Sequence, residues 1–78
     1  MSLLHIDRQV DARGLSCPMP IVLTARAVKT MASGTVLEVV ATDRGSVADF
    51  EAWSAATGHQ LLGHQAVDGE LRFTLRVK

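Results

Sequence analysis

The chain is poor in the residues that most often announce a chemistry. It has one cysteine, two prolines, three aromatic residues and no tyrosine in 78 residues. A single cysteine cannot close an intrachain disulfide, and it cannot build a multi-cysteine zinc site. Its thiol is a buried filler, a reactive group or an intermolecular partner. There is no surplus of either charge: eight basic residues balance eight acidic ones. Grip on a nucleic-acid backbone draws on a basic surplus, so direct nucleic-acid binding is not expected. No apolar run has the length that spans a membrane. Met1 to Arg8 lacks the basic start and apolar core of a signal peptide, so a cytoplasmic location is the default expectation.

What is present describes a small globular domain. Hydrophobic residues make up 47% and charged residues 21%, which suits one domain over residues 1–78 around one core. Leu4, Ile6, Arg8 and Val10 alternate with His5, Asp7 and Gln9 as a short strand, and Asp11 to Ser16 then connects it onward. From Pro18 to about Ser33 the apolar residues Ile21, Ala25, Val28 and Ala32 recur at helical steps, and Gly34 follows as the expected residue past the helix end. Thr35 to Thr42 is rich in β-branched residues and apolar on both faces, as a central strand is. Val36 and Val40 form the face expected to lie open.

After the turn Asp43-Arg44-Gly45, Ser46 and Asp49 have the spacing of a capping box. Val47, Phe50, Trp53 and Ala56 give the second helix its buried side, and Gly58 ends it. His59 to Val67 is polar and broken by Gly63, as edge strands often are. Asp68-Gly69 is a hairpin turn. The last strand then alternates cleanly through Leu71, Phe73, Leu75 and Val77.

The order β-α-β-α-β-β, with one wet face on the last strand, predicts a two-layer α/β sandwich with both helices on one face of the sheet. Right-handed crossovers make strands one, two and three parallel. The regular fourth strand belongs inside, which gives a four-stranded mixed sheet of order 1-2-4-3. The loop with the cysteine and the turn at Asp43 then share the carboxyl edge, where open α/β sheets place their sites.

Gly14-Leu15-Ser16-Cys17-Pro18-Met19-Pro20 is the stretch on which a function can rest. Proline is best tolerated in the first turn of a helix, so Pro18 and Pro20 mark a helix start and Cys17 falls at its N-cap. A helix N-terminus and a nearby cation, Arg13 or Arg44, lower a thiol's pKa. Two prolines without N–H groups and the charge of Asp43 oppose this, so the expected depression is partial. Met19 offers the one near amide. With no second cysteine to resolve a disulfide, and no histidine beside Cys17 in the sequence, the group suits handing a sulfur atom on more than a full catalytic turnover.

Asp11, Arg13-Gly14-Leu15, Cys17-Pro18-Met19-Pro20, Gly34, Thr42-Asp43, Gly45-Ser46, Asp49, Trp53 and Gly58-His59 together resemble the pattern of the TusA/SirA family, over nearly the whole chain. The resemblance implies a small cytoplasmic sulfur carrier that holds sulfur as a persulfide on Cys17. Pro18, Pro20, Arg13, Gly14 and Asp43 are the expected supporting residues, and neither cofactor nor metal is expected. Family members take sulfur from a cysteine desulfurase or a rhodanese-type donor. They pass it to an acceptor protein serving tRNA thiolation, molybdenum-cofactor metabolism or dissimilatory sulfur metabolism. Met19 stands where some tRNA-thiolation members have an acidic residue, which weighs against that branch. The rival reading is a non-catalytic regulatory or adaptor module that binds a partner through the open sheet face at Val36 and Val40.

Overall fold

A computed structural model describes residues 5–78, so the start of the first predicted strand, Leu4, lies outside the described residues. The elements are β1 (Arg8–Ala12), α1 (Met19–Val28), β2 (Val36–Ala41), α2 (Ser46–Thr57), β3 (Gln60–Val67) and β4 (Glu70–Arg76). The strands form one sheet in the order β1-β2-β4-β3. β1 is parallel to β2, while β4 is antiparallel to both β2 and β3. This is the predicted topology. β4 holds its inner place through Phe73 and Leu75, and Val77 just past its end enters the core with them. β3 keeps the edge, with a register irregularity between Leu61 and Gly63.

The core lies between the helices and one face of the sheet, where Leu37, Val39 and Ala41 of β2 are fully buried. Phe50 of α2 stacks on Phe73 at 4.5 Å between ring centroids, and Trp53 meets Phe50 edge-on at 6.3 Å. Between β3 and β4, Asp68 and Gly69 have φ of 52° and 79°. Two left-handed residues in succession match the strand twist of a tight hairpin.

Several expectations change. β1 starts at Arg8 and runs to Ala12, because Asp11 and Ala12 pair with Val40 and Ala41. Ala12 is therefore core, although its neighbours look like loop residues. α1 stops at Val28, five residues before Ser33; the Thr30 and Met31 amides donate to the Ala27 and Val28 carbonyls in a closing turn. The buried face of α1 is Pro20, Thr24 and Ala27, rotated by one residue from the predicted stripe. Thr24 can be buried because its hydroxyl donates to the Pro20 carbonyl at 2.8 Å, which removes the cost of an unpaired polar group.

Gly34 has φ of +85° and donates to the Val77 carbonyl, so it leads into β2 and does not cap α1. α2 has Gly45 at its N-cap without a side-chain bond, so the Ser46–Asp49 capping box does not form. The Ser46 hydroxyl is buried and has no hydrogen-bond partner among the described residues. Ala56 is exposed.

The outer face of the sheet is not open. Val36 and Val40 are 6% and 4% exposed. Glu38 accepts hydrogen bonds from Gln9 at 2.7 Å and Arg72 at 3.3 Å, and Glu70 accepts from Arg72 and Arg13 at 3.2 and 3.3 Å. Gln9, Asp11, Arg13 and Arg72 form a groove with Val40 at its floor. Long side chains lay their methylenes over apolar surface while their polar ends stay in water.

Candidate functional site

β1 and β2 are parallel, so the loops that follow them meet at one edge of the sheet. Two clips join these loops. The Gly14 amide donates to the Thr42 hydroxyl at 2.9 Å, and the Cys17 amide donates to Asp43 Oδ2 at 2.8 Å. Asp43 Oδ1 also accepts from the Gly45 amide at 3.2 Å. One carboxylate thus ties the cysteine loop to the residue that caps α2. Gly14 has φ of +77°, a conformation that an L side chain rarely takes. The expected gathering of Gly14, Cys17 and Asp43 at one edge is present.

Cys17 is a free, exposed thiol. It is not the N-cap of α1. Pro18 holds that position, the Cys17–Pro18 peptide is cis, and the helix proper begins at Met19. The Met19 amide, the near donor expected for the sulfur, donates to the Ser16 carbonyl at 2.9 Å. Pro18 and Pro20 supply no N–H. Pro20 is buried in the first turn of α1, while Met19 is 38% exposed two residues after Cys17.

The charge around the sulfur is opposite to expectation. The hydrogen-bonding pull of Asp49, half-buried one turn into α2, then desolvation, then the charges of Asp49 and Asp43 push the Cys17 pKa up. Arg13 does not offset them. Its guanidinium is held by both oxygens of Asp11, at 2.9 and 3.0 Å, and by Glu70 at 3.3 Å. That bidentate pair takes the Asp11 carboxyl down to about 2. Arg44 makes no ion pair among the described residues.

Asp49 is the site residue that sequence reasoning passed over, since it reads as a helix-capping acid. The usable signal was its spacing: it stands four residues after Gly45, so the two share a helix face. The histidines are elsewhere. His59 stacks on Trp53 at 5.1 Å and accepts the Lys78 amide on Nδ1 at 3.0 Å. His64 tilts against Phe73 at 5.8 Å, and His5 pairs with Asp7 at 3.3 Å.

A family model described as sulfurtransferase TusA matches residues 8–77. The chain belongs to this family. It is 41% identical over 74 residues to the sulfur carrier protein TusA of Allochromatium vinosum, covering 95% of this chain and 97% of that protein. It is 54% identical over 67 residues to the putative sulfur carrier protein YrkF of Bacillus subtilis, covering 86% of this chain. This chain spans 36% of that longer relative. Among solved structures, the SirA-like protein of Desulfitobacterium hafniense superposes with a TM-score of 0.78 at 22% identity, over 88% of this chain and 95% of the other. That likeness is one of fold. No helix among the described residues is long and apolar enough to cross a membrane.

Proposed function

We propose that this protein is a sulfur carrier that accepts sulfur as a persulfide on Cys17 and relays it to a partner. Family membership supports the carrier role, and relatives named as sulfur carriers match along most of this chain. The observation that carries the assignment to one residue is the exposure of the sole thiol, on a loop clipped at two points to the neighbouring turn. A relay needs a sulfur that a large partner can reach and that stays in place while reached. Pro18 and Pro20 fix φ on the helix side, and the Asp43 and Thr42 clips hold the other.

In the transfer, the Cys17 sulfur attacks the outer sulfur of a donor persulfide, R–S–SH. The new S–S bond forms as the donor's S–S bond breaks, and the leaving R–S⁻ gains the proton lost from the thiol. The products are R–SH and Cys17–S–SH, with no net oxidation. The donor is a cysteine desulfurase or a rhodanese-type protein, and the acceptor is a protein of the thiolation, molybdenum-cofactor or sulfur-oxidation branches. Met19, two residues after Cys17, disfavours the tRNA branch. A reducing cytoplasm suits an unpaired exposed cysteine.

The test is intact-mass measurement after incubation with a cysteine desulfurase and cysteine. The wild type gains the mass of a sulfur atom, the gain is removed by dithiothreitol, and Cys17→Ala shows none. A gain that persists in Cys17→Ala refutes the assignment. The adaptor alternative drew on an open apolar sheet face, and Val36 and Val40 are buried.

A further inference from the structure

The two edges of the sheet are built differently. β3, at one edge, is guarded: its register with β4 slips between Leu61 and Gly63. β1, at the other, pairs only with β2 among the described residues, in unbroken register from Arg8 to Ala12. It has neither the proline nor the bulge that blunts many exposed edges. Asp7 pins its start: the Asp7 amide donates to the Val36 carbonyl at 2.8 Å, and Asp7 Oδ2 accepts the Val36 amide at 2.9 Å. Alternate residues of an edge strand turn amide and carbonyl outward, so β1 presents a row of backbone donors and acceptors.

A groove runs beside this row. Arg8 and Val10 line it from β1, and Leu23, Arg26, Ala27 and Thr30 line it from α1. Val10, Leu23 and Ala27, which pack on the core, are its apolar part. Arg8 and Arg26 are exposed and make no ion pair among the described residues. Arg8 is nonetheless held in place. Its Nη1 donates to the Thr30 hydroxyl at 2.5 Å, and that hydroxyl donates to the Ala27 carbonyl at 2.9 Å. A hydroxyl fixes the guanidinium without cancelling its charge, and leaves other N–H groups of the fork for a carboxylate. The acid that lines the groove, Asp11, is taken by Arg13.

We propose that the edge of β1 and this groove seat an extended, acidic segment of a partner protein, added to the sheet as a fifth strand. The chemistry selects the occupant. The backbone row calls for another strand, the apolar part for an apolar side chain, and the two arginines for carboxylates. The β1 strand of a second copy supplies no such charge, because its one acid is the paired Asp11. β1 leads into the Cys17 loop and α1 leads out of it, so the segment lies along the two elements that carry the thiol. The seat does not depend on sulfur carriage, and its test uses no sulfur donor.

The probe is a synthetic capped peptide of about eight residues, the length of an ordinary strand, repeating valine-valine-glutamate-glutamate. This repeat sets valine and glutamate in turn on each face of a strand. Titrated into the ¹⁵N-labelled protein, it shifts the amides of Arg8 to Ala12 and protects them from exchange; a peptide with lysine for glutamate does neither. Arg26→Glu weakens binding about fivefold to tenfold, and added salt weakens it too. Arg76→Glu, the same charge change on exposed β4 away from the groove, alters it by less than about twofold. Two further peptides are N-methylated at alternate residues, one on each set. Only one set of amides faces β1, so one peptide loses binding and the other keeps it.

Equal binding by the two methylated peptides overturns strand addition, and that comparison needs no protein variant. Equal effects of Arg26→Glu and Arg76→Glu overturn the role of the groove's charge. Shifts centred on β3, or none at millimolar peptide, overturn the seat. Protection of the β1 amides that rises with the concentration of the protein alone puts a second copy at the edge and overturns the choice of occupant.

Discussion

Removing the Asp43 carboxylate should loosen the cysteine loop more than any other single change that leaves the core intact. Asp43 accepts two backbone amides, from Cys17 at 2.8 Å and from Gly45 at 3.2 Å. Hydrogen bonds to a charged group are worth about 1.5–3 kcal/mol when shielded. Both of these are exposed, so about 0.5–1 kcal/mol each is the better figure. Asp43→Ala should therefore destabilise by about 1–2 kcal/mol, which in a domain of this size lowers the melting temperature by roughly 4–15 °C. Asp43→Asn keeps one carbonyl acceptor and should lose about half as much.

Amide hydrogen exchange separates this mechanism from a general loosening. In Asp43→Ala the Cys17 and Gly45 amides should lose protection, while Gly14, held by Thr42 at 2.9 Å, keeps most of its own. Unchanged Cys17 protection in a folded Asp43→Ala protein would refute the idea that this side chain fixes the loop.

Two further outcomes follow from other parts of the molecule. Phe50→Ala empties the centre of the aromatic stack with Phe73 and Trp53 and should cost about 3–5 kcal/mol, a large share of the roughly 4–12 kcal/mol of a domain this long; a change below about 1 kcal/mol in urea unfolding would contradict the central role of Phe50. Asp11 is held to about 2 against an ordinary 3.8, first by the side-chain hydrogen bond from Arg13. A depressed carboxyl stabilises the fold at pH above its unfolded value and loses that contribution as pH falls through the folded value. The wild type should thus lose more stability than Asp11→Asn between pH 3.8 and about 2, and added salt should shrink the difference. Parallel pH curves for the two proteins would rule the pair out as a source of acid sensitivity.

The topology was legible because it depends on contrasts that survive in one dimension. β4 alternates without a fault, β3 is polar and interrupted, and the handedness of crossovers then leaves one order of strands. The gathering of Gly14, Cys17 and Asp43 followed from that order. What was not legible depends on partners far away in sequence. The stripe on α1 was misplaced because Thr24 counts as polar until its hydroxyl is seen to bond the Pro20 carbonyl. Val40 looked open because Gln9, Arg13 and Arg72, also counted as polar, line the groove above it. Arg13 looked like a cation for the thiol, but Glu70, 57 residues away, helps to turn it elsewhere.

The electrostatics of the site follow from the same folding of the two loops. An enzyme that needs a standing thiolate surrounds its cysteine with cations or helix amides. Here the nearest helix amides are absent at the prolines or spent on Ser16, and the side chains whose charge acts on Cys17 are carboxylates. Asp43 is also what joins the loop to α2, so removing its negative charge weakens the clip as well. Rigidity and a protonated thiol are then one design choice. On the carrier reading the combination is coherent: a sulfur presented on a stiff loop must meet its partner in a fixed pose, and a protonated resting state limits reaction with anything else. Charge reversal at the loop would separate the two properties. Asp43→Lys should lose the clip and favour the thiolate together, giving a carrier more readily alkylated and less firmly ordered than the wild type. Faster alkylation with Cys17 amide protection intact would show that the clip and the charge are separable after all.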